Sequence, residues 1–142
     1  MKLIKHLLDR KGRQIISVRP DASVLDAIRL MAEKNIGALL VMEKGRLLGI
    51  MSERDYARKV VVKGRASGST PVADIMTANV VTTSSDETVN TCMALMTDKR
   101  IRHLPVVDDA VVVGVISIGD LVQAIIADQQ EAIEQLEHYI SG

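Results

Sequence analysis

The sequence contains no Trp and no Phe, and its only aromatic residues are two Tyr, Tyr56 and Tyr139, among 142 residues. A core must therefore be built from Leu, Ile, Val, Met and Ala. A flat ligand would have to be gripped by aliphatic side chains and backbone amides rather than by stacked rings. The same shortage argues against single-stranded nucleic acid, whose bases rest on aromatic platforms. There is one cysteine, Cys92, so an internal disulfide is excluded. It sits within an apolar helical face and reads as a small buried hydrophobe rather than a reactive thiol. No apolar run reaches the roughly 18 residues that suggest a membrane span. Residues 1–10 interrupt their apolar stretch with charges and lack the h-region of a secretory signal, so a cytoplasmic location is expected. His6, His103 and His138 fall in three unrelated elements without metal-ligand spacing. No motif places a Cys–His or Ser–His–acid set, and neither a metal site nor an enzyme is expected.

Charge of either sign is not lacking, but it is unevenly spread. The net charge is zero. Residues 1–70 carry 15 Lys and Arg against 7 Asp and Glu, whereas residues 71–142 carry 3 against 11. Drift of two solvated surfaces produces such a split. Opposite fields that choose a ligand for each half, or that set a homodimer head to tail, produce it too.

What is present is a repeat. Residues 16–56, moved along by 65 positions, lie over 81–121 without a gap. Asp21 meets Asp86, Leu30 and Met31 meet Leu95 and Met96, and Gly49, Ser52 and Asp55 meet Gly114, Ser117 and Asp120. An internal repeat decides the architecture before any single element does. Two copies imply a pseudo-symmetric pair, with two related places for anything that binds between them.

Each copy reads strand, helix, strand, strand, helix. In copy 1, residues 15–18 form a short strand that ends before Pro20, and Asp21 or Ser23 can cap the next helix. Val24, Ala27, Ile28, Met31 and Ala32 recur at helical spacing, which predicts a helix over 23–34. Asn35 and Gly37 stand at its end, where left-handed backbone is common. Residues 38–42 are a continuous apolar run, as in a strand buried on both faces. Residues 43–46 are a hairpin turn, 47–51 the returning strand, and Ser52 opens a second helix to about Lys63.

Copy 2 predicts a strand at 80–83, a helix at 88–99, strands at 103–107 and 111–116, and a helix from Ser117. Ala110 replaces Gly45 in its turn, which predicts a different hairpin type. Residues 64–71 are a linker, and Thr70-Pro71 starts a short helix, 72–76, leading into copy 2. Residues 3–8 are the matching lead-in to copy 1. Division of the chain into halves 1–68 and 69–142 follows. The last helix, 118–140, carries an apolar stripe (Val122, Ile125, Ile126, Ile133, Leu136, Ile140), which implies packing on the other copy or on a second subunit. The fold class is α+β, with small mixed sheets packed against helices.

The strand-to-helix junction is the strongest site candidate. It reads Gly49-Ile50-Met51-Ser52-Glu53-Arg54-Asp55 in copy 1 and Gly114-Val115-Ile116-Ser117-Ile118-Gly119-Asp120 in copy 2. Ser-x-x-Asp at a helix start is a capping box, with each side chain bonding the other residue's N–H. The same geometry suits a nucleotide. Helix N-termini attract phosphate, a carboxylate accepts both hydroxyls of a ribose diol, and the glycine admits close approach of a ligand.

These paired junctions, the segment Arg102-His103-Leu104-Pro105-Val106-Val107-Asp108, the lead-in Ile75-Met76-Thr77 and the element order together resemble a tandem pair of CBS domains, a Bateman module. The resemblance covers nearly the whole chain. It implies a regulatory module that binds adenosine-containing ligands (AMP, ADP, ATP, NAD(H) or S-adenosylmethionine) in two clefts between the copies. It implies a ribose-binding role for Asp55 and Asp120, with Ser52 and Ser117 near ribose or phosphate. The first strands would lie along the purine, offering Ile16, Ser17 and Val18 for site 1 and Val81, Thr82 and Thr83 for site 2. The loop before the middle strand offers Ile36, Gly37 and Ala38 to site 1, and Ile101, Arg102 and His103, followed by Leu104 and Pro105, to site 2. Gly119 completes site 2. Arg102 and His103 suit a monophosphate such as AMP. Gly37-Ala38 leave more room, and Arg54, Arg58 and Lys59 suit the longer diphosphate of NAD(H). The output would act in trans on an effector protein, from a homodimer. A dimerisation scaffold without a nucleotide is the alternative, although it has no use for two intact Ser-x-x-Asp junctions.

Overall fold

The computed structural model describes residues 2–141. Its elements are α1 (Ile4–Lys11), β1 (Ser17–Val18), α2 (Val24–Lys34), β2 (Ala38–Glu43), β3 (Arg46–Ser52), α3 (Glu53–Tyr56), α4 (Val89–Lys99), β4 (His103–Asp108), β5 (Val111–Ser117) and α5 (Ile118–Ser141). A π-helical turn, Ala57–Val61, prolongs α3, and a 3-10 turn, Val72–Asp74, lies in the lead-in to the second repeat. The mixed α+β class and the repeated order agree with the sequence.

The helices begin and end where their side chains dictate. Ser23 Oγ accepts from Asp26 N at 3.1 Å, and Thr88 Oγ1 accepts from Thr91 N at 3.0 Å, each filling a donor that the first helical turn leaves unpaired. α2 closes on Asn35 and α4 on Arg100, with φ of 54° and 55°. The left-handed ending is thus kept in the second repeat without a residue that favours it.

Both hairpins share one geometry. β2 pairs antiparallel with β3 from Ala38↔Ser52 to Glu43↔Arg46, with a register shift at Val41/Met42. β4 pairs with β5 from His103↔Ser117 to Asp108↔Val111, with the shift at the equivalent Val106/Val107. The turn residues Lys44 and Gly45 have φ of 52° and 77°, and Asp109 and Ala110 have 50° and 65°. Both turns place two residues in left-handed backbone, as the twist of the flanking strands requires. The expected difference in hairpin type is absent, and Ala110 carries a Cβ in a conformation suited to glycine.

The first strands do differ. β1 runs parallel to β2, and Leu40 N donates to Ile16 O at 3.3 Å. The expected strand 80–83 shrinks to a single bridge, Thr83↔Val106, held by Thr83 N to Pro105 O at 3.0 Å and Val107 N to Thr83 O at 2.7 Å. Pro105 stands where Leu40 stands in the first repeat and has no N–H to offer Val81 O, so the ladder stops there. The second helix of copy 1 reaches Val61, close to the expected end, but its second half is a π turn closed by Val62 N on Ala57 O at 3.0 Å.

The chain forms two compact units, Ile15–Val81 and Met1–Gln14 with Thr82–Gly142. These units cut across the division at 68/69, because each lead-in segment packs with the repeat other than the one it precedes. In the Ile15–Val81 unit, Val72 and Ile75 of the lead-in join a core of Val24, Ala27, Met31, Leu39, Val41, Met51 and Val60. In the other unit α1 buries Ile4, Leu7 and Leu8. Its start is tied to the segment before α4 by Ile4 N to Glu87 O at 2.8 Å and Val89 N to Lys2 O at 3.0 Å. Burying a Leu or Ile stabilises by about 1.5–3 kcal/mol, so the apolar face of α1 fixes where it docks.

Cys92 is fully buried, and burial pushes its thiol up despite a 3.3 Å contact with Thr83 Oγ1. α5 contributes Leu121 and Ala124 to its unit, whereas Ile126, Ile133, Leu136, Tyr139 and Ile140 are exposed. No helix among the described residues is long and apolar enough to cross a membrane.

Candidate functional site

Each unit carries one Ser-x-x-Asp junction, and both fold as capping boxes. In the Ile15–Val81 unit, Asp55 N donates to Ser52 Oγ at 3.1 Å while Ser52 N donates to Asp55 Oδ2 at 3.0 Å. In the other unit, Asp120 N donates to Ser117 Oγ at 3.1 Å and Ser117 N to Asp120 Oδ2 at 2.8 Å. β3 and β5 deliver the serines in extended backbone, and the turn into helix brings each carboxylate back over them. The capping role of the serines is therefore met in full.

The hairpins bring the loop before the middle strand to the same place. Glu53 N donates to Gly37 O at 3.0 Å, and Ala38 pairs with Ser52. Ile118 N donates to Arg102 O at 2.9 Å, and His103 pairs with Ser117. Gly37, Ala38, Ser52 and Asp55 thus form one cluster, and Arg102, His103, Ser117 and Asp120 form its counterpart. Arg102 is exposed and His103 half-buried. Ile36 and Ile101 lie half-buried at the helix ends, and Gly119 is exposed in the first turn of α5.

Other expected residues stand further off. Ser17 and Val18 pair with Leu40 and Val41, and Ile16 O is bonded by Leu40 N, so all three flank β2 on the edge opposite β3. Thr83 holds the corresponding edge of β4, Thr82 is exposed, and Val81 closes the Ile15–Val81 unit. Leu104 and Pro105 are buried in β4. Arg54 and Arg58 are exposed on the helix that follows Ser52.

The junction glycines do not open toward a ligand. A Cβ on Gly49 would stand 2.6 Å from Met76 Sδ and 2.9 Å from Thr77 O. One on Gly114 would stand 2.6 Å from Leu8 Cδ2. What approaches each glycine is a lead-in segment of the protein itself. That is a correction to the sequence reading, in which the glycine served a bound molecule.

The lead-in segments also reach the aspartates. Asp55 Oδ1 faces Lys59 Nζ at 3.0 Å and, at the 3.5 Å limit, the hydroxyl of Thr77, whose backbone pairs with Ile50. Lys59 Nζ also donates to Ile75 O at 2.9 Å. Asp120 Oδ2 faces Lys11 Nζ at 2.5 Å, and the same ammonium donates to Val115 O at 2.6 Å. Burial raises the Asp120 carboxyl, but the Lys11 donor, the Ser117 N–H and the Lys11 charge together outweigh it and hold the group below its ordinary range. The Asp55 and Asp120 side chains are 13% and 23% exposed, so each is shielded yet reachable from solvent.

Lys11 and Thr77 were not foreseen as site residues. The signal available was the position of the lead-ins: Lys11 falls opposite Met76 when the repeats are superposed. Reading each lead-in as a partner of the copy that follows it hid the contact.

Comparison with known proteins finds one family along the chain. The model of the CBS domain family matches residues 8–62 and 72–127. A mitochondrial CBS domain-containing protein of Arabidopsis thaliana, CBSX3, is 45% identical over 127 residues, which are 86% of this chain and 62% of that relative. The chain therefore spans less than two thirds of that protein's length. Among solved structures, the CBS domain protein NE2398 is 47% identical, with a TM-score of 0.85 over 88% of this chain and 98% of that one. The CBS domain pair of protein MJ0100 in complex with 5′-methylthioadenosine and S-adenosyl-L-methionine is 28% identical, with a TM-score of 0.80 over 90% and 98%.

Proposed function

The chain belongs to the CBS domain family, and on that premise we propose that it is a non-catalytic regulatory module that binds adenosine-containing ligands, one site in each unit. Asp55 and Asp120 take the ribose hydroxyls, and the loops at Gly37-Ala38 and Arg102-His103 border the rest of the ligand. The observation that carries this reading is the duplicated junction: two shielded carboxylates, each poised by a Ser capping box at equivalent positions. The binding of adenosine derivatives by the MJ0100 pair supports the ligand class. An AMP-sized ligand suits the Asp120 site, with Arg102 and His103 beside it. A longer nucleotide such as NAD(H) or ATP suits the Asp55 site, with Arg54, Arg58 and Lys59 on the adjoining helix.

The signal passes in trans to an effector protein. Ligand acts by binding one conformational state better than another, which is the only way it can shift a population. A homodimer presents the output surface. The exposed apolar residues of α5 from Ile126 to Ile140 support it, as does the split between a basic first and an acidic second half of the chain.

Thermal unfolding in the presence of AMP, ADP, ATP, NAD, NADH and S-adenosylmethionine tests the binding role. A ligand at 100 times its dissociation constant stabilises the folded state by about 2.7 kcal/mol. At least one of these ligands is expected to raise Tm by several degrees. One observation favours a second reading, a dimerisation scaffold: the long exposed face of α5 would serve it without any ligand. That reading predicts a folded oligomer whose Tm no nucleotide moves.

A further inference from the structure

Two lysines at unrelated positions serve the two equivalent aspartates. Superposing the repeats puts Lys59 on Ala124 and Lys11 on Met76, so neither lysine is a copied feature of the repeat. Each ammonium nevertheless makes the same pair of contacts. Lys59 Nζ bonds the Asp55 carboxylate and the Ile75 carbonyl, and Lys11 Nζ bonds the Asp120 carboxylate and the Val115 carbonyl. One lysine arrives from the helix that bears its aspartate and the other from α1, 109 residues away in sequence. An exposed ion pair adds little to stability, whereas here a carbonyl also fixes each ammonium at the edge of a shielded carboxylate.

We infer that Lys11, carried by the lead-in helix α1, is a ligand-selecting residue of the Asp120 site, and that Lys59 does the same at the Asp55 site. Each makes its site prefer phosphate-bearing adenosine ligands over uncharged or sulfonium ones. This rests on the proposed ribose role of the two aspartates. An ammonium has three donors, and one of them is spent on the carboxylate. Ribose hydroxyls donate to that same carboxylate and displace it. The carbonyl retains a second donor, and the freed N–H then needs an anion. A 5′-phosphate on the same ligand supplies one within reach of the flexible lysine stem. Adenosine or 5′-methylthioadenosine competes for the carboxylate and offers the ammonium no anion in return. The sulfonium of S-adenosylmethionine adds a like charge.

The test is calorimetric titration with AMP, adenosine and S-adenosylmethionine, with one site isolated at a time. Asp55→Ala isolates the Asp120 site, into which Lys11→Met and Lys11→Arg are introduced. Asp120→Ala isolates the Asp55 site for Lys59→Met. Each isolated site is expected to bind AMP at least 10-fold tighter than adenosine. Lys11→Met is expected to bring that ratio to within about 3-fold, chiefly through weaker AMP binding. Lys11→Arg keeps the charge and is expected to keep the preference, which separates charge from packing. A ratio unchanged by Lys11→Met, or an isolated site that binds adenosine as tightly as AMP, overturns the inference and leaves the binding function standing. No binding of any of the three ligands by the wild-type protein overturns this inference, and if ADP, ATP, NAD and NADH fail to bind as well, the proposed function falls with it.

Discussion

Lys11 and Asp120 are separated by 109 residues of sequence and by 2.5 Å in the structure. One is the last residue of α1, and the other lies in the first turn of α5. Their contact records how the chain is threaded, with the first helix completing the unit that contains the second repeat. The same threading puts Thr77, at the head of the second repeat, beside Asp55 of the first.

This threading predicts which unit fails when α1 is damaged. Leu8 is fully buried and packs on Gly114. Leu8→Ala is expected to destabilise by about 2–5 kcal/mol. Hydrogen exchange locates the damage: protection should fall in α4, β4, β5 and the start of α5, and hold in α2, β2 and β3. Loss confined to residues 15–81 would contradict the assignment of α1.

The junction glycines are expected to resist any side chain. Gly49→Ala would force a Cβ against both Met76 Sδ and the Thr77 carbonyl, and Gly114→Ala would force one against Leu8. Each is expected to destabilise by about 1–3 kcal/mol, as overpacking does. Gly49→Ala should cost more, because backbone yields less readily than a side chain. Denaturant midpoints at constant slope measure both.

Ala110 is expected to be improvable. Its φ of 65° suits glycine, and the equivalent residue of the first hairpin is Gly45. Left-handed backbone costs an L-residue roughly 1–2 kcal/mol, and glycine gives part of that back as unfolded-state entropy. Ala110→Gly should therefore stabilise by about 0.5–1 kcal/mol, read as a rise in the urea midpoint.

How much of this was legible in the sequence differs from element to element. The repeat, the helices over 24–34 and 89–99, both hairpins and the two capping boxes follow from spacing and local chemistry, which one copy of the chain carries within itself. The shortened first strand of copy 2 was legible too, had Pro105 been read as a missing donor to Val81. The left-handed Arg100 and Ala110 were not, because the surrounding pairing imposes their backbone against their own preference. The lysines that reach the aspartates, and the closing of the junction glycines by Leu8 and Met76, depend on which lead-in packs in which unit. That is a tertiary fact with no local signal.

Acid sensitivity should centre on two carboxylates. Asp108 is held below its ordinary range by hydrogen bonds from Ser85, first its hydroxyl and then its N–H. Asp120 is held low by Lys11 and Ser117 against the opposing effect of burial. A group whose folded pKa is depressed contributes stability that is fully present above its unfolded pKa, about 3.9 for Asp, and lost as pH falls through the folded value. Stability should therefore fall from about pH 5 downward. Asp120→Asn should lower stability at neutral and basic pH and flatten part of that decline, so that the two proteins converge in acid, as urea midpoints measured across pH would record.

Titration calorimetry of the wild-type protein, Asp55→Ala and Asp120→Ala with AMP, ATP, NAD and NADH tests the central claim most directly. The account predicts that at least one of these ligands binds the wild type. It also predicts that each substitution abolishes one class of site and leaves the other intact, with both variants folded by circular dichroism. Wild-type binding that survives both substitutions unchanged, or a folded protein that binds none of the ligands, would contradict it and leave the two aspartates as helix caps alone.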